Sequence, residues 1–201
     1  GCQQYGEMDM NLPKIMRAMV TMGHGGMDQM VYHADWPAPQ LKDGEVLVRV
    51  GACGLNNTDV NTRSGWYSKA VTDATLSEGY DEINAEDPSW GGAPITFPRI
   101  QGADVCGEII AVGAGVDPSP NGVLVITDNK LRHSDDPTNK NKTGYLWLEC
   151  DRGVAVYKAI LCENALAVIS SLSYAELTTF YCSYPTAEGM LTQTDVAANY
   201  T

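Results

Sequence analysis

The sequence has little basic charge. Of its 201 residues only 13 are lysine or arginine, against 25 aspartate or glutamate, which gives a net charge of −12 at pH 7. Nucleic acids and anionic membrane surfaces attract proteins through basic patches. We therefore expect no nucleic-acid partner and no membrane partner.

Long apolar runs are also missing. No stretch approaches the ~20 apolar residues that a membrane helix requires. The N-terminal residues GCQQYGEMDMNLPKIMRAMV contain no basic segment followed by an apolar one, which is the pattern of a secretory signal. The sequence therefore predicts a cytoplasmic protein.

The spacings typical of metal and phosphate sites are absent. The six cysteines form no C-x-x-C pair, and none of the three histidines lies within four residues of another. Two glycine-rich segments, GHGGMD and VGAGVD, are followed by a strand and by a proline turn instead of the helix that a phosphate loop needs. We expect reduced, mostly buried thiols and no complete catalytic or cofactor motif.

What the sequence does contain is a series of short apolar stretches between glycine and proline turns. The stretch EVLVRVGACGL alternates, with Val46, Val48 and Val50 on one face, as in a half-buried strand. Further strands are predicted at 16–20 and 30–33 and in CGEIIAVGAGV, GVLVITD and GVAVYKAIL. This pattern predicts a mainly β fold, a partly open barrel, with a few helices.

Helix signals occur at three places. Asp59 is a candidate N-cap for a short helical turn that ends at Gly65. Ser173 and Glu176 form a capping box, and Pro185 is expected near the first turn of a second C-terminal helix. The sequence therefore predicts that helices follow the barrel.

Residues 71–94 carry six acidic residues and no basic one. We predict a long acidic surface loop or insertion. A calcium site is the alternative, but the order of ligands in an EF-hand loop is absent.

Four segments carry a resemblance to a known family: MRAMV, GEVLVRVGACGLNNTDVNTRSGWY, FPRIQGADVCGEIIAVGAGV and TFYCSYPTAEGML. Together they resemble the GroES-like catalytic domain of medium-chain dehydrogenases/reductases, in particular the zinc-independent branch similar to quinone oxidoreductases and alcohol dehydrogenases. The resemblance implies an N-terminal extension at 1–15, the GroES-like substrate domain at 16–172, and at 173–201 the helical start of a cofactor-binding domain.

The zinc enzymes of this family carry G-x-C-H-[ST]-D in one motif and G-H-E in another. Here Asn56 stands at the cysteine position, Ala103 at the histidine position and Asp104 at the glutamate position. The four-cysteine lobe of the structural zinc is missing as well. The resemblance therefore implies no zinc. A zinc enzyme that uses Cys53, Cys106 and Asp104 remains an alternative.

By resemblance, Asn56, Asp59 and Tyr67 line the active-site cleft. An amide and a phenol can orient a carbonyl or quinone oxygen by hydrogen bonds while a nicotinamide supplies the hydride. The alternatives are structural, since Asn56 suits a turn and Asp59 suits a helix cap.

In the family, a segment like TAEGMLTQTDVAANYT leads into a strand and a glycine-rich dinucleotide turn, whereas this sequence stops at Thr201. We therefore expect NAD(P)H in the full-length enzyme and no cofactor on this chain alone. The expected partners are a small-molecule substrate and either a second copy of the chain or a separate cofactor domain. A stand-alone GroES-like module that binds without catalysis is the alternative.

Overall fold

The computed structural model describes residues 12–66, 95–128, 130–131, 144–145 and 153–193. Strands make up most of the ordered elements in these ranges, and two helices follow the last strand. The predicted acidic loop at 71–94 and the predicted site residue Tyr67 lie outside the described residues. None of the described helices has the length and apolar character that crossing a membrane needs.

The first sheet contains three antiparallel strands. Strand β1 (Ile15–Thr21) lies between β2 (Met30–Pro37) and the short β4 (Arg99–Ile100). The strands predicted at 16–20 and 30–33 are therefore confirmed, and the second is longer than predicted.

The second sheet is antiparallel in the order β10-β6-β5-β3-β9. Its central pairs join β3 to β5 on one side and to β9 on the other. A separate short pair is formed by β7 (Lys130–Leu131) and β8 (Gly144–Tyr145). The five strands are β3 (Glu45–Gly54), β5 (Asp104–Val112), β6 (Leu124–Thr127), β9 (Tyr157–Leu161) and β10 (Ala165–Ala167).

The segment before β9 joins the two sheets. The backbone N–H of Met19 donates to the Val154 carbonyl (2.9 Å), and the N–H of Val50 donates to the Val156 carbonyl (2.9 Å). Val156 in turn donates to the carbonyl of Arg17 (3.1 Å). The strands thus form a curled sheet, and the predicted mainly β, partly open barrel is confirmed.

The core lies against the middle of the second sheet. Val46 and Val48 are fully buried, as the alternation predicts, but Leu47 between them is also buried and Val50 is only half-buried. Both faces of β3 are therefore covered there, and a bulge after Val50 changes the register. Each such side chain contributes about 1.5–3 kcal/mol by leaving water. The cluster comprises Val46, Val48, Ile109, Val125 and Ile160.

Both C-terminal helices form where the sequence predicts them. Helix α2 (Tyr174–Thr178) begins at Ser173, whose Oγ accepts from the N–H of Glu176 (3.3 Å). The Glu176 carboxylate accepts from the Ser173 Oγ (2.7 Å) and N–H (2.8 Å), and these bonds lower the pKa of Glu176. Helix α3 (Ser183–Gln193) carries Pro185 in its first turn.

The helix that follows β3 begins three residues earlier than predicted. Helix α1 spans Asn57–Ser64, and its N-cap is Asn56, not Asp59. Asp59 is the third residue of the helix, where its carboxylate accepts from the N–H of Asn56 (2.9 Å). The predicted end is confirmed, because Gly65 adopts the left-handed conformation (φ 75°) that favours glycine.

Candidate functional site

The site is built where β3 ends and α1 begins. Asn56 has an extended backbone (φ −126°, ψ 170°), which turns the chain from the strand into the helix. Its side chain is half-buried, whereas the preceding Leu55 is 62% exposed. Asn56 is therefore partly accessible to solvent at this turn.

Asp59 holds this turn in place with two hydrogen bonds. Its Oδ2 accepts from the Asn56 N–H (2.9 Å) and its Oδ1 from the Gly102 N–H (2.9 Å), while the residue is only 6% exposed. Both oxygens of a buried carboxylate are thus bonded to backbone amides, which compensates for its removal from water. Asp59 holds α1 against the segment that leads into β5.

Two neutral side chains extend the same network. Gln101 donates from Nε2 to the Asp59 carbonyl (2.7 Å) and accepts at Oε1 from the Thr21 hydroxyl (2.7 Å). All three residues are buried, Thr21 completely. The network therefore connects the end of β1 to the first turn of α1 without a water-exposed link.

Asp104, the first residue of β5, orients the Asn56 side chain. Asn56 Nδ2 donates to Asp104 Oδ2 at 2.9 Å, and Asp104 is 2% exposed. Since a carboxylate oxygen accepts hydrogen bonds, the carboxamide must turn its nitrogen, and not its oxygen, toward Asp104. The hydrogen bond to Asp104 thus determines the orientation of this amide.

The C-terminal segment reaches the same carboxylate. The N–H of Cys182, between α2 and α3, donates to Asp104 Oδ2 at 3.3 Å. Burial raises the pKa of the Cys182 thiol, and the negative charges of Asp104 and Asp59 raise it further. The thiol is therefore kept protonated beside the two carboxylates.

Gly54 leaves room for this approach. Its register partner across the sheet is Asp104. A Cβ at this position would lie 2.8 Å from the Thr178 carbonyl oxygen and 3.2 Å from the Asp104 Cβ. The glycine thus allows the end of α2 to lie directly on β3 beside the site.

The alternative zinc ligand set is not assembled. Cys53 is opposite Val105, whereas Cys106 is opposite Ala52 and Asp104 is opposite Gly54. Because successive residues of a strand point to opposite faces, Cys53 points away from Cys106 and Asp104. In the ranges that the structure describes, no group of three or more histidine, cysteine or acidic side chains could hold a metal ion.

A dinucleotide cradle is likewise not formed by the two glycine-rich segments. The turn at 23–26 leads through a short 3-10 helix into β2, and the turn at 113–115 leads into β6. Neither turn is followed by an α-helix, whose N-terminus would receive the phosphates. Neither of these two turns therefore offers the phosphate site of a nicotinamide dinucleotide.

Comparison with known proteins identifies the fold. The family model of the alcohol dehydrogenase GroES-like domain matches residues 42–170, which is more than half of the chain. The chain belongs to this family. The resemblance to the GroES-like domain of medium-chain dehydrogenases/reductases is therefore confirmed.

Two relatives of this GroES-like domain are oxidoreductases by name. The chain is 29% identical over 108 residues to the chloroplastic NADPH-dependent alkenal/one oxidoreductase of Arabidopsis thaliana. The matched region covers 54% of this chain and 22% of that relative. The chain is 30% identical over 118 residues to the quinone oxidoreductase of Homo sapiens, and this region covers 59% of this chain and 29% of that relative.

A solved structure of a protein assigned as an alcohol dehydrogenase, from Sinorhizobium meliloti 1021, is also similar. Its TM-score is 0.73 at 38% identity, covering 92% of this chain and 48% of that one. The GroES-like chain thus spans about half the length of this relative.

The structure brings together two of the three predicted site residues of the GroES-like domain. Asn56 and Asp59 share a hydrogen-bonded network, while the position of Tyr67 remains a prediction. Sequence reasoning assigned Asp104 only to an altered zinc motif and missed Cys182. The signal for Cys182 was its place in TFYCSYPTAEGML, one of the four family segments.

Proposed function

We propose that this chain forms the substrate-side domain of an NAD(P)H-dependent, zinc-independent oxidoreductase. The reaction is hydride transfer to or from a carbonyl, a quinone or an activated alkene. The observation that carries the proposal is the hydrogen bond by which Asp104 holds the side chain of the half-buried Asn56. It is supported by the GroES-like family and by the two relatives named above that are oxidoreductases.

Asn56 is proposed to bind the substrate oxygen. A carboxamide nitrogen carries two hydrogens, and one of them is directed to Asp104. The second can donate to a carbonyl or quinone oxygen and stabilise the negative charge that develops there during reduction. Because its donor is already oriented, little reorganisation is needed at the moment of reaction.

Tyr67 and Asp59 have different proposed roles. The Tyr67 phenol donates a second hydrogen bond to the substrate oxygen, as the family resemblance implies. Asp59 acts indirectly, since both of its carboxylate oxygens are occupied by backbone amides. It positions Asn56 and does not contact the substrate.

A nicotinamide bound in the whole protein would supply the hydride. Since neither glycine-rich turn forms its cradle, we propose that a separate cofactor-binding unit completes the enzyme. Cytoplasmic location is proposed with the function, and cell fractionation with a tagged chain would test it.

The experiment joins this chain to the part of the Sinorhizobium relative that it does not cover. We expect the joined protein to oxidise NADPH when a quinone, an α,β-unsaturated aldehyde or a simple ketone is added, and the chain alone to show no turnover. Tyr67→Phe lowers the rate of the joined protein and leaves its NADPH binding unchanged.

Substrate binding without turnover would contradict the proposal and favour the stand-alone binding module. The comparison requires that the joined protein be folded and bind NADPH, which thermal unfolding and fluorescence titration establish beforehand.

A further inference from the structure

One buried carboxylate has contacts on two sides of the site. Asp104 Oδ2 accepts from the Asn56 side chain at 2.9 Å and from the Cys182 backbone at 3.3 Å. These partners lie 48 and 78 residues away along the chain. Asp104 therefore connects the turn after β3 with the segment between α2 and α3.

We propose that Asp104 is a positioning residue that fixes which way the Asn56 carboxamide faces. This inference rests on the proposed function, because it concerns the group that binds the substrate oxygen. Asp104 itself acts through Asn56 and not on the substrate.

The physical argument is the ambiguity of an amide. An asparagine side chain can present either its oxygen or its nitrogen, and only the nitrogen donates to a substrate oxygen. If the carboxamide reversed, its oxygen would face the Asp104 carboxylate, and two acceptors would be in contact in a buried place. Asp104 thus excludes the orientation that binds no carbonyl.

The fold leaves room for the Asp104 side chain. Gly54 lies opposite Asp104, and a Cβ there would come within 3.2 Å of the Asp104 Cβ. Asp104 is 2% exposed, so water does not compete for its oxygen. The geometry therefore favours a fixed contact with Asn56 over a solvated one.

The test is a double-mutant cycle in the joined protein with Asn56→Ala, Asp104→Asn and the double variant. We expect Asp104→Asn to lower kcat about tenfold, because a neutral amide can present its nitrogen as well as its oxygen and so no longer fixes the orientation of Asn56. We expect no further loss when the same change is made in the Asn56→Ala background, because the contact is already absent.

A merely structural role gives a different result. Asp104→Asn would then lower kcat by the same factor in both backgrounds, and that outcome overturns the inference. Glu108→Gln is the matched control, since it removes a carboxylate from the same strand at an exposed ion pair with Arg49. If Asp104→Asn does not fold, Asp104→Ser takes its place.

A second readout does not depend on activity. In this chain alone, the side-chain amide signals of Asn56 are expected to shift in Asp104→Asn, and Cys182 is expected to be alkylated faster because a neighbouring negative charge is gone. Peptide mapping separates Cys182 from the other thiols. Unchanged amide signals would overturn the proposal that Asp104 fixes the orientation of the Asn56 carboxamide.

The two failures are distinguishable. If Asn56→Ala leaves kcat unchanged, the proposed function of Asn56 fails, and the positioning role of Asp104 fails with it. If Asn56→Ala lowers kcat but the cycle is additive, the proposed function stands and only the inference about Asp104 is overturned.

Discussion

The barrel core and the polar site are both buried, but they are held together in different ways. The core consists of aliphatic side chains such as Val46, Ile109 and Ile160, which need only to leave water and fill space. The site consists of Asn56, Asp59 and their partners, whose hydrogen bonds must each be made in a defined geometry.

This difference teaches where substitutions are tolerated. A core position accepts another apolar residue of similar volume. A site position leaves its partner unsatisfied when it is changed, even by a residue of the same size. The core should thus respond to lost volume, and the site to lost hydrogen bonds.

The largest effect on stability is expected in the core. Ile109→Ala should lower the free energy of unfolding by about 3 kcal/mol, because it removes buried methyl groups and leaves a cavity. Ile169→Ala is the matched control, since Ile169 is fully exposed and its loss should change stability by less than about 0.5 kcal/mol. Urea unfolding followed by circular dichroism measures both. Equal effects would contradict the assignment of the core.

A somewhat smaller effect is expected in the site. Asp59→Ala should cost about 2 kcal/mol, because the amides of Asn56 and Gly102 lose their acceptor. Asp59→Asn should cost less, since its carbonyl oxygen still serves one of these amides. Asp35→Ala, on the exposed side of β2, is the control with little expected change. An Asp59→Ala protein as stable as the parent would show that the network does not hold α1 in place.

An effect of similar size is expected when the pH is raised. Burial raises the pKa of Cys106 from 9.0 to about 11. The unfolded thiol loses its proton first, so this stabilisation is complete below pH 9.0 and is lost as the pH rises through about 11. The parent should lose on the order of 2 kcal/mol more than Cys106→Ala over this interval.

Urea unfolding at a series of alkaline pH values measures this slope. Cys162→Ala, which removes a half-buried thiol, is the control. Identical slopes for the parent and Cys106→Ala would contradict the burial of Cys106 in the sheet.

Much of the fold could be predicted because its signals are local. The strand β3, the capping box at Ser173 and the helix end at Gly65 each depend on a few neighbouring residues, and all three were confirmed. The exception in β3, buried Leu47, depends on what packs over the second face of the sheet, which no local pattern contains.

The site was less predictable because its contacts are distant in sequence. Thr21 meets Gln101 across 80 residues, and Cys182 meets Asp104 across 78. No spacing rule relates such positions, so only family resemblance pointed to Asn56 and Asp59. The resemblance named residues but not their partners, and the different contacts of Asp59 and Asp104 became visible only in the structure.

The most direct test of the central claim is the kcat of Asn56→Ala in the joined protein, with NADPH and a quinone as substrates. Asn57→Ala is the control, since Asn57 is adjacent and exposed. We predict that Asn56→Ala lowers kcat about a hundredfold, as expected for removing one oriented donor to a developing oxyanion, and that Asn57→Ala changes it little. Equal rates for the two variants would contradict the claim that Asn56 binds the substrate oxygen.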